Sequence, residues 1–397
     1  MPPGVSIEDG LSEDDAVALA FWNNAAYHEL LAQLGISRAQ LFSARLITDP
    51  QFVLFFPVGP KQLEFTSYQA VDAIWLRPVR VRAAQLDLCE LANLMIQNGL
   101  NLARDTRIAH VNLVLAQNRA ELISKALKLR QDIAALAEKR LESGDISELE
   151  VIATRIDALQ ADAVAASTAQ DVIVAQEQLR VLTGLPIPAE QLVAVDDMLP
   201  GIPEEHKDEL VAMAHAMRPD LRAVEIRKSS AYERARLARK QFMNLDAIFD
   251  ANAEGVKGYE SGPGLRFTLP LFNGNKGGIA VADAIVKQVG KQYSTLHDQI
   301  ELDVRSSQTR LSQAHEQRRL IEDRILPALA DAQELSRRNY EGGGVPYFLV
   351  LQTTTQYIDA QLRHAEASAA IRRAYAQLER SIGRQLRSPE TTLELLE

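Results

Sequence analysis

Apolar residues recur at coiled-coil spacing in two long stretches of the chain. In the first stretch they lie seven residues apart, at Ile108, Leu115, Leu122, Leu129 and Leu136. In the second stretch they are separated by three, four or seven residues, at Ile300, Val304, Leu311, Ala314, Ile321, Ile325, Ala328, Ala332 and Leu335. This spacing predicts two long helices with packed seams, over about 79–141 and 276–341. Each helix would be roughly 95 Å long at about 1.5 Å per residue.

Glycine-containing turns end both long helices. The turns are Glu142-Ser143-Gly144-Asp145 and Glu341-Gly342-Gly343-Gly344, and returning helices are predicted to start near Ser147 and Pro346. Each long helix therefore forms a helical hairpin with its return helix. Pro327 interrupts the second outgoing helix because proline lacks a backbone donor, whereas the matching residue of the first is Lys128. We expect the two hairpins to bend differently.

Alternation of apolar and polar residues predicts a strand hairpin before each long helix. In the second half, the alternating apolar residues are Leu245, Ala247, Phe249 and Ala251, followed by Leu265, Phe267 and Leu269. In the first half, strands are predicted at 51–56 and 62–75, around a turn at 57–61. A helical segment precedes each strand hairpin, at 13–48 and at 204–242.

The same order of elements occurs twice, so the chain contains an internal repeat. Matching residues lie 199 positions apart: Leu141 and Tyr340, Gly144 and Gly343, Ile146 and Val345, Val151 and Val350, Leu179 and Leu378, Gly184 and Gly383. This register predicts two structural repeats, 1–200 and 201–397. The first contains a strand hairpin at 49–76 and a helical hairpin at 79–184. The second contains a strand hairpin at 244–272 and a helical hairpin at 276–386.

Composition narrows the function classes. The chain has 397 residues, of which 24% are charged and 47% hydrophobic, so we expect it to fold. Its formal net charge of −10 argues against a nucleic-acid partner, which normally needs a basic surface. One cysteine, Cys89, cannot form an intrachain disulfide.

Neither a membrane-spanning helix nor an export signal is expected from the sequence as it stands. There is no run of about 18 apolar residues. The segment Met1-Pro2-Pro3-Gly4-Val5 lacks a basic stretch followed by an apolar one. Cys89 lies within a predicted helix and does not serve as an N-terminal lipid anchor.

Two strand hairpins supply four strands, which are too few to close a barrel. Three copies of the chain would supply twelve. Apolar residues that face lipid, alternating with polar residues that face a lumen, are the pattern of a transmembrane barrel. A small soluble sheet that caps a helical bundle would show the same alternation, so the strands alone leave both interpretations open.

Two motifs, together with the order of elements, resemble the TolC family of outer-membrane efflux channels, the outer membrane factors of tripartite efflux systems. Leu269-Pro270-Leu271-Phe272-Asn273-Gly274-Asn275 is similar to the family's strand-to-helix junction, particularly in members that serve heavy-metal efflux. Tyr340-x-x-Gly343-x-Val345-Pro346-Tyr347-x-x-Val350-Leu351 is similar to its hairpin motif. The resemblance covers nearly the whole chain.

The resemblance implies a mainly α fold with a small β part. Long α-helical hairpins would form a tunnel, and four strands per chain would contribute to a trimeric twelve-stranded β-barrel. The implied partners are two further copies of the chain, outer-membrane lipid, a periplasmic adaptor protein and an inner-membrane efflux pump of the resistance-nodulation-division type. The implied location is the outer membrane with a periplasmic extension.

The hairpin tips carry the candidate functional residues. In the family, a tyrosine at the position of Tyr340 links neighbouring hairpins, and acids on the return helices form constriction rings. The candidates for a periplasmic gate are Glu148, Glu150, Tyr340, Tyr347 and Gln352, next to the turns at Gly144 and Gly343. A ring of Glu150 side chains would favour bound cations. The alternative is a solvated hairpin end with ordinary surface glutamates.

No catalytic residue, cofactor site or metal site is predicted. The seven histidines show no ligand spacing, and the glycines at 342–344 lack the strand and the lysine of a phosphate loop. We predict a passive exit duct for solutes that the inner-membrane pump and the periplasmic adaptor deliver, and two other classes of protein are the alternatives. A periplasmic adaptor should have one helical hairpin rather than two. A coiled-coil scaffold would not explain strand hairpins that recur between equivalent helices.

Overall fold

The computed structural model describes residues 10–56, 63–186, 192–253 and 258–386, together with Pro2, Val5 and Pro188. The first half of the chain forms α1 (Glu13–Asn23), α2 (Ala25–Arg45), β1 (Gln51–Phe55), β2 (Leu63–Ala70), α3 (Asp72–Glu142) and α4 (Glu148–Thr183). The second half forms α5 (Lys207–Met217), α6 (Pro219–Lys240), β3 (Leu245–Ala253), β4 (Tyr259–Phe267), α7 (Lys276–Leu320), a π-helical turn (Ile321–Ile325), α8 (Leu326–Glu341) and α9 (Tyr347–Ile382). The predicted order of elements is confirmed.

The chain divides into two compact units, and each draws residues from both halves of the sequence. We call Met1–His28, Asn98–Met217 and Ile300–Glu397 the helical unit, and Glu29–Gln97 and Arg218–Gln299 the sheet unit. The division into repeats at 1–200 and 201–397 follows the sequence rather than these units, and it stays a prediction.

The first long helix begins earlier than the sequence predicted. α3 starts at Asp72, whereas a strand was predicted as far as residue 75 and a helix only from residue 79. The Asp72 carboxylate accepts a hydrogen bond from the Ala73 N–H at 3.0 Å, and a negative charge stabilises a helix N-terminus. Pro78 lies inside this helix, close to its start. Across the part of the chain that is described, no helix is both long and apolar enough to cross a membrane.

Each predicted helical segment before the strands is broken into two helices. Asn24 separates α1 from α2 in an extended conformation, and its side chain donates to the Leu182 carbonyl at 3.0 Å. Arg218 separates α5 from α6 in a similar conformation. Arg218 precedes Pro219, and a residue before proline is disfavoured in the helical region. The prediction of single helices over 13–48 and 204–242 was therefore wrong at these two points.

The second outgoing helix is interrupted just before Pro327, as predicted, and the interruption takes the form of a π-helical turn. The Leu326 N–H donates to the Ile321 carbonyl, five residues back. α3 continues without interruption past Lys128 in the first repeat.

The π-helical turn shifts the buried face of the helix by one residue. Before the turn, the predicted seam residues Ile300, Val304, Leu311, Ala314 and Ile321 are buried. After it, Ile325 and Leu335 are exposed, and Ser336 and Tyr340 are buried instead. One extra residue rotates everything beyond it by about 100°, because an α-helix has about 3.6 residues per turn. The seam predicted for residues 325–335 was wrong for this reason.

The core of the helical unit joins the start of the chain to α3 and α4. Leu11, Leu19, Leu113 and Leu179 are fully buried there. Burial of one such leucine side chain contributes about 1.5–3 kcal/mol. In the seam of α3, Leu115 is buried, and the other four heptad residues are half-buried: Ile108, Leu122, Leu129 and Leu136.

The four strands of the sheet unit form one antiparallel sheet in the order β1-β2-β3-β4. Phe52 lies opposite Ser67, Ser67 opposite Phe249, and Phe249 opposite Pro263, so these residues share a face. The register places further apolar residues on the same face: Leu54, Phe65, Ala247, Ala251, Leu265 and Phe267. The opposite face carries polar residues: Thr66, Asp246, Asp250, Asn252 and Arg266. The predicted alternation of the second hairpin is confirmed.

The strands differ in length. β3 and β4 have nine residues each, β2 has eight and β1 has five. A strand that crosses a membrane needs about 9 to 11 residues. β2 ends at Ala70 because α3 follows, and β4 ends two residues before Leu269. The turn predicted at 57–61 lies outside the described residues.

Substitution of Gly184 tests how tightly the end of α4 is packed. Gly184 has a left-handed φ of 61°, and a Cβ atom there would come within 2.8 Å of the Asn23 carbonyl oxygen. A left-handed conformation costs a residue with a side chain about 1–2 kcal/mol. We expect Gly184→Ala to lower the free energy of unfolding by at least about 2 kcal/mol, because the contact adds to this strain.

Two other glycines provide the controls. Gly144 is also left-handed, but a Cβ atom there would meet nothing within 4 Å, so Gly144→Ala should show the conformational cost alone. Gly201 lies in open space without a left-handed φ, and Gly201→Ala should be neutral. Urea unfolding followed by circular dichroism measures all three. Equal midpoints for the Gly184 and Gly201 variants would contradict this account.

Candidate functional site

The two hairpin turns have the same backbone hydrogen bonds. In the first, the Gly144 N–H donates to Leu141 and the Asp145 N–H donates to Arg140, both at 2.9 Å. In the second, the Gly343 N–H donates to Tyr340 at 2.9 Å, and the Gly344 N–H donates to Asn339 at 2.8 Å. Gly144 and Gly343 have φ values of 80° and 78°, which residues with side chains rarely adopt. The sequence repeat is therefore reproduced in the turns.

The two turns of one chain lie against each other within the helical unit. Arg140, at the end of α3, donates through Nη1 to the Tyr340 carbonyl at 3.2 Å. Its guanidinium group also lies 5.0 Å from the centre of the Tyr340 ring, a cation–π contact. The structure thus brings Gly343 and Tyr340 next to the end of α3. Arg140 was not predicted as a site residue, because nothing in the sequence distinguishes it from the neighbouring Lys139.

Tyr340 and Tyr347 are buried side by side. Their ring centres are 6.0 Å apart, and they pack against Ile133 of α3 and Val350 of α9. Burial raises the pKa of Tyr340, and the nearby Glu150 charge raises it further, while Arg140 opposes both effects. Within one chain, Tyr340 of α8 therefore packs between α3 and α9.

A polar contact joins three helices behind these rings. The Tyr347 hydroxyl of α9 donates to Oδ2 of Asp157 on α4 at 2.9 Å. Arg130 of α3 lies 3.4 Å from the same oxygen through Nε, and its Nη2 donates to the Thr355 hydroxyl of α9 at 3.4 Å. Burial raises the pKa of Tyr347, and its bond to Asp157 adds to the effect. Tyr347 therefore keeps its proton at physiological pH.

We call Arg130, Ile133, Arg140, Asp157, Tyr340, Tyr347 and Val350 the tip cluster. It connects the first hairpin of the chain with the second. Nothing in the sequence distinguishes Asp157 from the other acids of α4, because its role depends on which residue faces it from α9.

The remaining predicted residues lie at the same end of the helices but outside the tip cluster. Glu148 is exposed and Glu150 half-buried in the first turn of α4, where the Glu150 N–H donates to the Ser147 hydroxyl at 3.3 Å. Gln352 is exposed on α9. Of these three, Glu150 acts on the tip cluster through its charge, which raises the pKa of Tyr340.

The sheet unit presents an apolar surface. Phe52 is 63% exposed, Phe249 48% and Leu265 67%, and all three belong to the apolar face of the sheet. On the polar face, Thr66 donates to Asp250 at 2.7 Å and Arg266 to Asp246 at 2.8 Å. The polar side chains of this face are thus paired with one another, although the face also carries Val53, Phe55 and Ile248.

A second group of charged residues, which the sequence analysis did not find, lies in the core of the helical unit. Arg107 of α3 forms ion pairs with Glu379 of α9 and, at 3.2 Å, with Glu13 of α1. Burial raises the pKa of Glu13 to about 7, although the Arg107 charge acts against this. Burial lowers the pKa of His110, which is therefore neutral at pH 7. These residues are far apart in sequence, so spacing alone cannot reveal them.

Comparisons with known proteins agree with this geometry. Residues 210–384 match the family model described as outer membrane efflux protein. The cobalt-zinc-cadmium resistance protein CzcC of Cupriavidus metallidurans is 21% identical over 384 residues, which cover 94% of this chain and 90% of that protein.

Solved structures share the fold at low sequence identity. A membrane protein from Pseudomonas aeruginosa superposes with a TM-score of 0.81 at 16% identity, covering 93% of this chain and 92% of that one. The outer membrane protein VceC of Vibrio cholerae gives a TM-score of 0.78 at 16% identity, covering 94% and 97%. CusC, whose structures concern transmembrane channel formation, gives 0.78 at 15% identity, covering 94% and 92%.

The contact between Tyr347 and Asp157 can be measured by a double-mutant cycle. Tyr347→Phe removes only the hydroxyl donor, and Asp157→Ala removes the carboxylate that accepts from it. Each variant should lower the free energy of unfolding by about 1–3 kcal/mol, since each leaves a polar partner without this hydrogen bond. The double variant should be less destabilised than the sum of the two, with a coupling of at least about 0.5 kcal/mol. Strict additivity would show that the contact does not stabilise the tip cluster.

Proposed function

Because the chain belongs to the outer membrane efflux protein family and is an outer-membrane efflux channel, we propose that three copies form one passive exit duct. In this assembly the sheets of the three chains close a twelve-stranded barrel, and their helical hairpins enclose a tunnel. Solute delivered from the inner membrane passes through without any bond being made or broken.

The observation that supports this proposal is the sheet with one apolar, exposed face. β1 and β4 are its edge strands, and an edge strand offers backbone donors and acceptors to another strand. In lipid these groups must be paired, and a closed barrel pairs all of them. The exposed Phe52, Phe249 and Leu265 side chains fit a lipid-facing surface. A sheet that capped a helical bundle would bury them.

The family acts in tripartite efflux, with a periplasmic adaptor and an inner-membrane pump. We assign the hairpin tips to the side that meets the adaptor and the pump. Two hairpins per chain would give six tips in a trimer. A pump of the resistance-nodulation-division type is the proposed energy source. The adaptor and scaffold alternatives are not favoured, since the chain has two helical hairpins and its fold matches outer-membrane channels.

Divalent metal cations are the proposed exported solutes. CzcC is described as a cobalt-zinc-cadmium resistance protein. The net charge of −10 and the exposed Glu148 near the hairpin turn favour cations over anions in a narrow passage. Glu148, Glu150 and Gln352 are proposed to line the constriction at the tips.

The tip cluster is proposed to hold the duct closed. Its contacts join α3 and α4 of the first hairpin to α8 and α9 of the second, so opening that separates the hairpins must break them. Asp157 is the central residue, because it contacts both Tyr347 and Arg130. Loss of about 1.4 kcal/mol from the closed state changes the closed-to-open ratio about tenfold.

Single-channel recordings in planar bilayers test this proposal. Asp157→Ala should raise the open probability by roughly tenfold, because it removes two contacts within the tip cluster. Glu138→Ala is the matched control: it removes an exposed ion pair, with Arg155 at 2.7 Å, that also joins α3 to α4. An exposed pair contributes only about 0–1 kcal/mol, so the control should behave like the unmodified protein. Identical recordings for both variants would exclude the tip cluster as a gate, and the absence of any conductance would overturn the exit duct itself.

A further inference from the structure

The buried charged residues near the start of α1 bring together three distant segments of the helical unit. The Leu11 N–H donates to the Val193 carbonyl at 2.8 Å, and the Val195 N–H donates to the Leu11 carbonyl at 3.0 Å. This short parallel pairing places Glu13 beside Asp197, whose Oδ2 accepts the Glu13 N–H at 2.9 Å. His110 reaches the same place from the middle of α3, where its ring contacts the Leu11 carbonyl.

His110 has the hydrogen bonding of a metal ligand. The side chain is fully buried, and its Nε2 lies 2.8 Å from the Leu11 carbonyl oxygen. A carbonyl oxygen can only accept, so Nε2 carries the proton and Nδ1 carries a lone pair. Nδ1 has no hydrogen-bond partner among the described residues. A buried nitrogen without a partner is costly, and metal-binding histidines typically donate their other N–H to a backbone carbonyl.

Two carboxylates complete the group. One ring nitrogen of His110 and one oxygen each of Glu13 and Asp197 lie within 4.8 Å of one another. Glu13 is half-buried and contacts Arg107 through Oε1. Asp197 uses Oδ2 for the bond to the Glu13 backbone. Each carboxylate therefore has a second oxygen outside these contacts.

The local charge favours a bound cation. The carboxylates of this region are Glu13, Asp14, Asp196, Asp197 and Glu379, and they face two guanidinium groups, Arg107 and Arg372. Arg107 is shared among Glu13, Asp14 and Glu379, and Arg372 pairs with Asp196 at 2.6 Å. The four carboxylates other than Glu13, whose pKa is raised, still outnumber the two guanidinium groups, and a divalent cation would compensate the excess negative charge.

We propose that His110, Glu13 and Asp197 bind a divalent transition-metal ion, with Zn²⁺ as the best-fitting ion. Imidazole selects zinc and its neighbours over magnesium and calcium, and carboxylate oxygens complete such sites. Three protein ligands leave a position for water. The ion would fix the start of α1 and the segment around Asp197 to α3. This inference is independent of the exported solute, because the site lies in the core of the helical unit.

Metal content of the purified protein tests the site. Tag-free protein is extracted in detergent, stripped of metal with a chelator and dialysed against Zn²⁺. Inductively coupled plasma mass spectrometry then measures the bound Zn²⁺ per chain. The variants are Asp197→Asn and Glu13→Gln, which preserve side-chain size. Glu121→Gln is the matched control, because Glu121 is an exposed acid of α3, the helix that carries His110, and among the described residues forms only an exposed ion pair with Lys125. Circular dichroism checks that all four proteins are folded.

The unmodified protein and Glu121→Gln should each bind one Zn²⁺ per chain. Asp197→Asn and Glu13→Gln should bind Zn²⁺ at least about tenfold more weakly. Mutation of a residue that only hydrogen-bonds to a metal ligand already lowers metal affinity by about that factor, and these two residues are proposed as ligands themselves. Zn²⁺ should also raise the thermal midpoint of the unmodified protein, because a ligand of the folded state stabilises it. No bound Zn²⁺, or equal binding by all variants, would overturn the site.

Discussion

The sheet is the constraint on which the rest of the structure depends. Its four strands have an apolar face that is exposed in the single chain, and β1 and β4 are edge strands. Exposure of the apolar face to water is unfavourable, and the unpaired edge strands promote aggregation. A single chain alone therefore leaves both the face and the edges without a partner. Closure with further copies satisfies both, because every edge is paired and the apolar face meets lipid. The proposed trimer meets this requirement, and the proposed tunnel and tip gate depend on the trimer.

In the proposed trimer, the helical hairpins would provide what the sheet cannot, a duct with an end that can open. The two hairpins of one chain are near copies at their turns but differ along their length, because α7 and α8 are separated by a π-helical turn while α3 is continuous. The tip cluster joins these unequal hairpins through Tyr347, Asp157 and Arg140. Nonequivalent neighbours with breakable polar contacts are suited to a closed state that a partner protein can open.

Sequence reasoning found what depends on local composition and period. The glycine turns, the return helices and the strand alternation all follow from residues near one another in the chain. It missed what depends on contacts between distant segments. The π-helical turn moved the seam from Leu335 to Ser336, and the partners of Tyr347 and His110 lie on other helices. The proximity of His110, Glu13 and Asp197 in the fold cannot be read from their spacing along the chain.

The most direct test of the central claim is a cysteine cross-link between the edge strands of neighbouring chains. With Cys89→Ser as background, Phe52→Cys in β1 is combined in turn with Ser261→Cys, Pro263→Cys or Leu265→Cys in β4, all on the same face of the sheet. Oxidation in membranes should give, for at least one pair, a ladder of covalent species that ends at three chains. The single-cysteine variants should not pass two chains. Monomers for every pair, or a ladder that continues beyond three, would contradict the closed trimer.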